Sequence, residues 1–314
     1  MIYFTFDPRP DLKKDLEQFM PEEQIVYDTK VDNTQLEKAE ILVTYGEDLT
    51  PEHMKSMKKL KWIFVASAGI EKMPLAELDE TEIIVSNVRG IHKKPMAESV
   101  LAHILSYYRS LPAIYAEQRA HNWKRKMPSK ELNGATALIL GPGAIGSEMG
   151  RLLQAFGVHT IGCNRSGKQA DYMDEMIVFD QLLGTLPRAE IILSVLPSTK
   201  ETKYLLTADH FKAMNPDTLF LNFGRGDLVA TEVLIEALQQ KEIAYAVCDV
   251  FEQEPLPSDS RLYDLENLTV SPHVSSQSSR YLERSFDIFK ENYRHYRKDN
   301  HDQITNQVNL KNGY

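Results

Sequence analysis

Cysteine is nearly absent: the 314 residues contain two, Cys163 and Cys248. Both fall in strand-like contexts, which favours two buried, reduced thiols over a disulfide or a metal site. Long apolar runs are missing as well, so no segment is expected to span a bilayer. The opening Met1-Ile2-Tyr3-Phe4-Thr5-Phe6 lacks a basic flank and is closed at once by Asp7-Pro8-Arg9-Pro10, so it reads as a first strand rather than a signal peptide. A cytoplasmic protein is the expectation. Positive charge is in deficit: the formal net charge of −9 gives no support for a nucleic-acid or anionic-membrane partner. No internal repeat or low-complexity block interrupts the chain. What remains, 42% hydrophobic and 26% charged residues, is the composition of an ordinary globular chain long enough for two domains.

Short apolar runs alternate with segments of helical period along the first ninety or so residues. The runs are Ile2 to Phe6, Gln24 to Tyr27, Ile41 to Thr44, Trp62 to Ala66 and Ile83 to Ser86; between them lie Leu12 to Met20, Thr34 to Ala39 and a segment from Pro51 with Met54, Met57 and Leu60. This alternation predicts a parallel sheet covered by helices. After Asn87-Val88-Arg89-Gly90 a long helix is expected from Pro95, interrupted at Pro112 and resuming to Trp123. A second α/β region follows, with strands at Ala135 to Leu140, Val158 to Cys163, Ile191 to Leu196, Thr218 to Asn222, Ala244 to Asp249 and Leu268 to Ser271. Helices are expected at Gln181 to Leu186, Asp209 to Met214, Ala230 to Gln240 and Tyr281 to Arg297, with a frayed tail beyond Asp299. The last helix is a candidate to return to the first domain and make it discontinuous.

The second region is organised around Gly141-Pro142-Gly143-Ala144-Ile145-Gly146. A strand runs into three glycines spaced G-x-G-x-x-G, and an apolar periodic segment continues as a helix. That is a seat for a pyrophosphate: Gly141 for the tight turn, Gly143 for close backbone approach, Gly146 for helix packing. The helix N-terminus adds unpaired N–H groups and a positive dipole end. A doubly wound, dinucleotide-binding domain is therefore expected.

In such sheets ligands bind at the carboxyl ends of the strands, near the point where strand order reverses. Three strand ends stand out. Asn222-Phe223-Gly224-Arg225-Gly226 presents a guanidinium able to grip a carboxylate with two hydrogen bonds, or merely a surface arginine in a turn. Ser271-Pro272-His273 places an imidazole at a proline-set tip. Asp249-Val250-Phe251-Glu252-Gln253-Glu254-Pro255-Leu256-Pro257 carries several acids, of which Glu252 is open to a purely solvated reading. An arginine to hold a carboxylate, a histidine to move a proton and a carboxylate to keep that histidine protonated together make a hydride-transfer site for a 2-keto acid.

The order G-P-G-A-I-G, N-F-G-R-G, D-V-F-E-Q-E-P-L-P and S-P-H resembles the D-isomer-specific 2-hydroxyacid dehydrogenases over nearly the whole chain. The resemblance implies an α/β protein with a central doubly wound Rossmann domain (93–276) and a discontinuous flavodoxin-like substrate domain (1–92 and 277–314). It also implies a homodimer formed largely through the helices after Pro95. Arg225 would bind the substrate carboxylate, His273 would be the general acid in reduction, and Glu254 its partner. Val65-Ala66-Ser67-Ala68-Gly69-Ile70 resembles the family's substrate loop, with the N–H groups around Ala68 and Gly69 holding the carboxylate. Asp249 resembles the residue that hydrogen-bonds the nicotinamide carboxamide. Leu196-Pro197 resembles the loop bordering the cofactor, and Phe223, Gly224 and Ser276 fall among the expected cofactor contacts.

Two departures bear on the cofactor. Where NAD-specific members carry an acid after the second Rossmann strand, this chain has Asn164-Arg165-Ser166, with Lys168 nearby. A carboxylate would repel a 2′-phosphate, whereas Arg165 with the Ser166 hydroxyl can bind it, so NADP is favoured over NAD. After His273, Val274-Ser275-Ser276 replaces a smaller, glycine-containing run. The leading expectation is an NADP-preferring reductase of small 2-keto acids such as glyoxylate or hydroxypyruvate. Phosphoglycerate dehydrogenase is the enzymatic alternative, and a dinucleotide-sensing, corepressor-like binding protein is the alternative of another class. Tyr45, Trp62 and Trp123 are candidates to border the pocket, or to sit in core or interface.

Overall fold

A computed structural model of the chain describes residues 1–70 and 72–310. The chain divides into two compact units, one of Met1–Ile91 with the C-terminal segment from Ser278, the other of His92–Gln277. Among the described residues no helix is long and apolar enough to cross a membrane.

The first unit holds β1 (Ile2–Phe4), β2 (Ile25–Tyr27), β3 (Ile41–Thr44), β4 (Trp62–Val65) and β5 (Ile84–Asn87), in the order β2-β1-β3-β4-β5 with every pairing parallel. β1, β3 and β4 are buried along their whole length, as the runs I-Y-F, I-L-V-T and W-I-F-V require when both faces are covered by helices. The helix Tyr281–Tyr296 closes one face, burying Phe286, Phe289 and Tyr296 against Ile2, Phe4 and Trp62. Phe289 stacks on Trp62 at 5.3 Å between ring centroids. Trp62 is thus a core residue, with its indole N–H donating to Ser86 Oγ at 2.9 Å.

Three local expectations for this unit fail. The helix from Pro51 ends at Met54; Met57 and Leu60 are buried by an irregular turn instead, because burial periodicity alone does not demand helix. A short helix Leu75–Asp79, where no segment was expected, rests on the single buried Leu78. The tail beyond Asp299 is not frayed as far as it is described. Asn292, fully buried, accepts from Thr305 N at 2.8 Å and donates to Thr305 O at 3.1 Å, and Val308 N donates to Val85 O at 2.8 Å. The final four residues of the expected tail lie outside the described residues.

The second unit holds β6 (Thr136–Leu140), β7 (His159–Cys163), β8 (Glu175–Ile177), β9 (Ile191–Ser194), β10 (Leu219–Asn222), β11 (Tyr245–Cys248) and β12 (Leu268–Val270). Their order is β12-β11-β10-β9-β6-β7-β8, again all parallel. This is the doubly wound arrangement, with its reversal between β6 and β9. β8 was not expected: it is an edge strand of three residues with only Ile177 buried, and the apolar stretch Met176–Phe179 leaves it after Ile177 for a helical turn. The helix Lys93–Tyr108 accepts Pro95 in its first turn, where the missing N–H costs nothing. The break after it comes at Ser110, in the left-handed region at φ 56°, and Pro112 lies inside the first turn of the next helix, Leu111–Arg119. Trp123 falls beyond that helix and is 91% exposed. Cys163 and Cys248 are free and buried, and burial pushes each thiol up to about 12, which leaves them unreactive.

Candidate active site

β6 delivers the chain to Gly141 at the reversal of strand order. Gly141 has φ +91°, and a Cβ there would sit 3.3 Å from the Leu196 backbone N. A Cβ on Gly146 would lie 2.4 Å from Gly141 O, so the turn and the helix Ala144–Ala155 touch through backbone. Gly143 caps that helix and meets nothing within 4 Å of an added Cβ. Space is therefore left over one glycine and used up at the other two. The N–H groups of Ala144 and Ile145, in the first turn, have no carbonyl of their own helix to reach and are available to an anion. This combination fits a dinucleotide pyrophosphate.

After β7 the chain turns at Asn164-Arg165-Ser166, with Gly167 at φ +66°. Asn164 is consumed by the turn: Oδ1 accepts from Ser166 N at 3.1 Å, and Nδ2 donates to Lys168 O at 2.9 Å. Ser166 Oγ accepts from Lys168 N at 3.3 Å. Arg165 is exposed at the tip. Glu201, on the loop after β9, has its carboxyl held below the usual range by its own backbone N–H and Thr199, with Arg165 adding attraction.

Leu196-Pro197 borders the glycine turn directly, since the Gly141 contacts above are to Leu196, and Thr202 Oγ1 donates to Pro197 O at 2.6 Å to hold that loop. Phe223 is only 2% exposed and packs against His103, so any cofactor contact there runs through its backbone. Asn222 folds the next turn, accepting from Gly224 N at 3.2 Å and donating to Arg225 O at 3.0 Å. The Arg225 guanidinium is exposed, with Nη1 donating to Gly224 O at 2.9 Å.

The loops after β11 and β12 meet. Glu254 Oε2 lies 2.7 Å from His273 Nδ1, and Glu254 Oε1 accepts from Phe251 N at 2.9 Å. A carboxylate can only accept, so Nδ1 carries the proton and Nε2 is left for another partner. His273 adopts φ +55°, an uncommon conformation for a residue with a Cβ. The neighbouring acids hold this arrangement. Asp249, 1% exposed, accepts from Ser271 Oγ, from Val274 N at 3.0 Å and from Ser275 N at 3.2 Å. It therefore grips the His273 loop on both sides of the histidine. Glu252 is not merely solvated: it accepts from Thr231 N and Oγ1 at 2.5 Å and from Tyr204 OH at 2.9 Å. Partial burial pushes its carboxyl up, and these bonds outweigh burial and hold it below the usual range. Tyr204 and Thr231 were missed by sequence reasoning, because neither lies in a motif. Ser276 is half-exposed at the end of the same loop.

In the first unit, the loop after β4 contains Ala68 and Gly69. Asn87 Nδ2 donates to Ala68 O at 2.8 Å, and Ser67 Oγ donates to Gly69 O at 2.6 Å.

The family model "D-isomer specific 2-hydroxyacid dehydrogenase, NAD binding domain" matches residues 101–275. A crystal structure of a D-isomer specific 2-hydroxyacid dehydrogenase family protein from Aeromonas salmonicida subsp. salmonicida is 30% identical, covers 98% of each chain and gives a TM-score of 0.82. The glyoxylate reductase of Thermofilum pendens is 27% identical over 262 residues, 82% of this chain and 77% of that protein. The D-3-phosphoglycerate dehydrogenase of Methanocaldococcus jannaschii is 29% identical over 241 residues, which are 76% of this chain and 46% of that protein. The chain thus spans less than half the length of the latter relative.

Proposed function

The chain belongs to the D-isomer-specific 2-hydroxyacid dehydrogenase family of NAD(P)-dependent enzymes, and from that premise we propose that it reduces small 2-keto acids, such as glyoxylate or hydroxypyruvate, to the D-2-hydroxy acid with NADPH. The observation that carries this reading is the His273–Glu254 pair, 2.7 Å apart, on loops after β11 and β12, with Arg225 after the neighbouring β10. NADPH, when bound, supplies the hydride to the keto carbon. His273 donates a proton from Nε2 to the keto oxygen, which completes the alcohol. Glu254, accepting from Nδ1–H, stabilises the doubly protonated imidazolium that has this Nε2 proton to give, and the neutral Nδ1–H form remains after the transfer. Arg225 grips the substrate carboxylate and offsets charge developing on the oxygen. The turn Gly141–Gly146 and the N–H groups of Ala144 and Ile145 hold the pyrophosphate. Leu196, Pro197, Phe223, Gly224 and Ser276 border the cofactor through backbone and packing, and Ala68 and Gly69 hold the carboxylate from the substrate domain (1–92 and 277–314). The role of Asp249 in this scheme changes from the resemblance: its hydrogen bonds to the 271–275 loop leave at most one acceptor site for a carboxamide.

Arg165 supports NADP: it stands exposed where an acid would otherwise meet the 2′-phosphate. Asn164 and Ser166 serve it by building the turn. Similarity to phosphoglycerate dehydrogenase favours oxidation of a phosphorylated hydroxy acid as a second reading. Two buried free thiols support a cytoplasmic setting. The exposed Ile114, Tyr115 and Trp123 support a homodimer through the helices after Pro95.

The test follows reduced-cofactor absorbance with glyoxylate, hydroxypyruvate, pyruvate and phosphohydroxypyruvate, each with NADPH and with NADH. Fastest turnover with NADPH and a small unphosphorylated keto acid is the expected result. Preference for phosphohydroxypyruvate selects the second reading, and dinucleotide binding without turnover selects a sensing role.

A further inference from the structure

The carbonyls of the loop after β4 are all engaged. Ala66 O accepts from Tyr281 OH at 2.8 Å, Ser67 O from Val88 N at 3.4 Å, Ala68 O from Asn87 Nδ2 at 2.8 Å, and Gly69 O from Ser67 Oγ at 2.6 Å. By contrast, among the described residues the N–H groups of Ser67, Ala68, Gly69 and Ile70 donate to no acceptor. In a trans peptide the C=O of one residue and the N–H of the next point in opposite directions. Two of these carbonyls, those of Ser67 and Ala68, are drawn toward the end of β5. The N–H groups of Ala68 and Gly69 are therefore turned away from it.

We propose that Asn87 is a positioning residue for the substrate: by tying down Ala68 O it fixes the direction in which the Gly69 N–H is offered to a carboxylate. The inference rests on the reading of this loop as the one that holds the substrate carboxylate. Asn87 suits the task because it is itself immobile. It is 4% exposed, its Oδ1 accepts from Arg89 N at 3.1 Å, and its own N–H donates to Asn306 O at 3.1 Å. Its side chain thus uses one acceptor and one donor in fixed directions, and only a carboxamide of this length supplies both. An aspartate would keep the bond from Arg89 N and set an oxygen against Ala68 O, freeing that peptide to turn. Asn87 acts through the Ala68–Gly69 peptide, so its effect is expected in carboxylate recognition.

The experiment compares the unmodified chain with Asn87→Asp and Asn87→Ala in steady-state kinetics and in calorimetry with oxalate, a carboxylate probe that needs no turnover. A hydrogen bond to a charged group contributes about 1.5–3 kcal/mol, so KM for the keto acid and the oxalate Kd should rise roughly 10- to 100-fold in both variants. Values of kcat and the NADPH Kd should stay within about threefold, and melting temperatures report folding. Unchanged KM, or a fall in kcat equal to that in kcat/KM, overturns the proposal. So does an effect confined to Asn87→Asp that vanishes in about 0.5 M salt, which would mark charge repulsion rather than orientation. Should Asn87→Ala fail to fold, persistence of the Asn87→Asp effect at that salt decides. Absence of turnover by the unmodified chain removes the functional reading alone, because oxalate binding still reads the loop. Failure of the unmodified chain to bind oxalate, or equal oxalate affinity in the variants, removes the Asn87 proposal.

Discussion

Both units are parallel sheets wound in two directions from a central reversal, yet they use that reversal differently. In the second unit β6 and β9 part around Gly141-Pro142-Gly143, and the space over Gly143 is empty. In the first unit β1 and β3 part around side chains. Phe6, just past β1, lies 4.4 Å from Tyr45, just past β3, and 6.5 Å from Phe286. Aromatic rings fill the place that glycines leave open in the other sheet. The difference teaches that strand order creates a crevice, and residue size decides whether a ligand can enter it.

The strongest way to sharpen that comparison is to separate chemistry from binding. His273→Ala, in the second unit, should lower kcat roughly 10²- to 10⁴-fold with little change in melting temperature. Glu254→Gln should follow it in direction, and a double variant no worse than His273→Ala alone would mark the two as one device. Equal losses on substituting the first-unit loop would break the division.

Next in size is the glycine turn. Gly143→Ala meets open space, so the fold should be untouched while the NADPH Kd rises roughly tenfold or more. Gly146→Ala drives a methyl into the backbone at Gly141 and should also cost about 2 kcal/mol or more of stability. If Gly143→Ala bound NADPH normally, the open space would not belong to the pyrophosphate.

The converse substitution opens the filled reversal. Phe6→Ala, at a half-buried site, should cost about 1–2 kcal/mol in urea unfolding. It should confer no dinucleotide binding, because Thr5-Phe6-Asp7 lacks the glycine turn.

The smallest effect is on pH. Burial lowers His103 and His210, both in the second unit, from the ordinary value of 6.5. The unfolded chain then binds protons first, so stability present above pH 6.5 is lost as pH falls toward the lowered folded values. Melts between about pH 7.5 and about pH 5.5 should show the decline, and His103→Gln should flatten it. A slope unchanged by that variant would clear His103 of the effect.

The glycine turn was legible because it is local: the conformation at Gly141 and the close approach at Gly146 restrict residue type within six positions. Most of the buried strands were legible for a similar reason, since continuous apolar runs identify them. β8 was not, being a short edge strand, and neither was the order of the described part of the tail, which rests on Asn292 and on backbone bonds to the end of β5. Arg225, His273 and Glu254 could be named from motif order, but the distance between His273 and Glu254 could not. The hydrogen bonds of Glu252 to Tyr204 and Thr231, and of Asn164 to Ser166 and Lys168, were not legible, because these partners carry no signature.

From residue order alone came the alternation that makes two parallel sheets, the phosphate-binding turn and the chemical types at the strand ends. These follow from backbone preference and burial period, which act over a few residues. Only the tertiary structure decided which polar groups are spent on the scaffold and which are left for a ligand. Asp249 meets Val274, and Asn87 meets Ala68, because sheet order brings distant strand ends together, and a buried polar group must bond to whatever stands beside it.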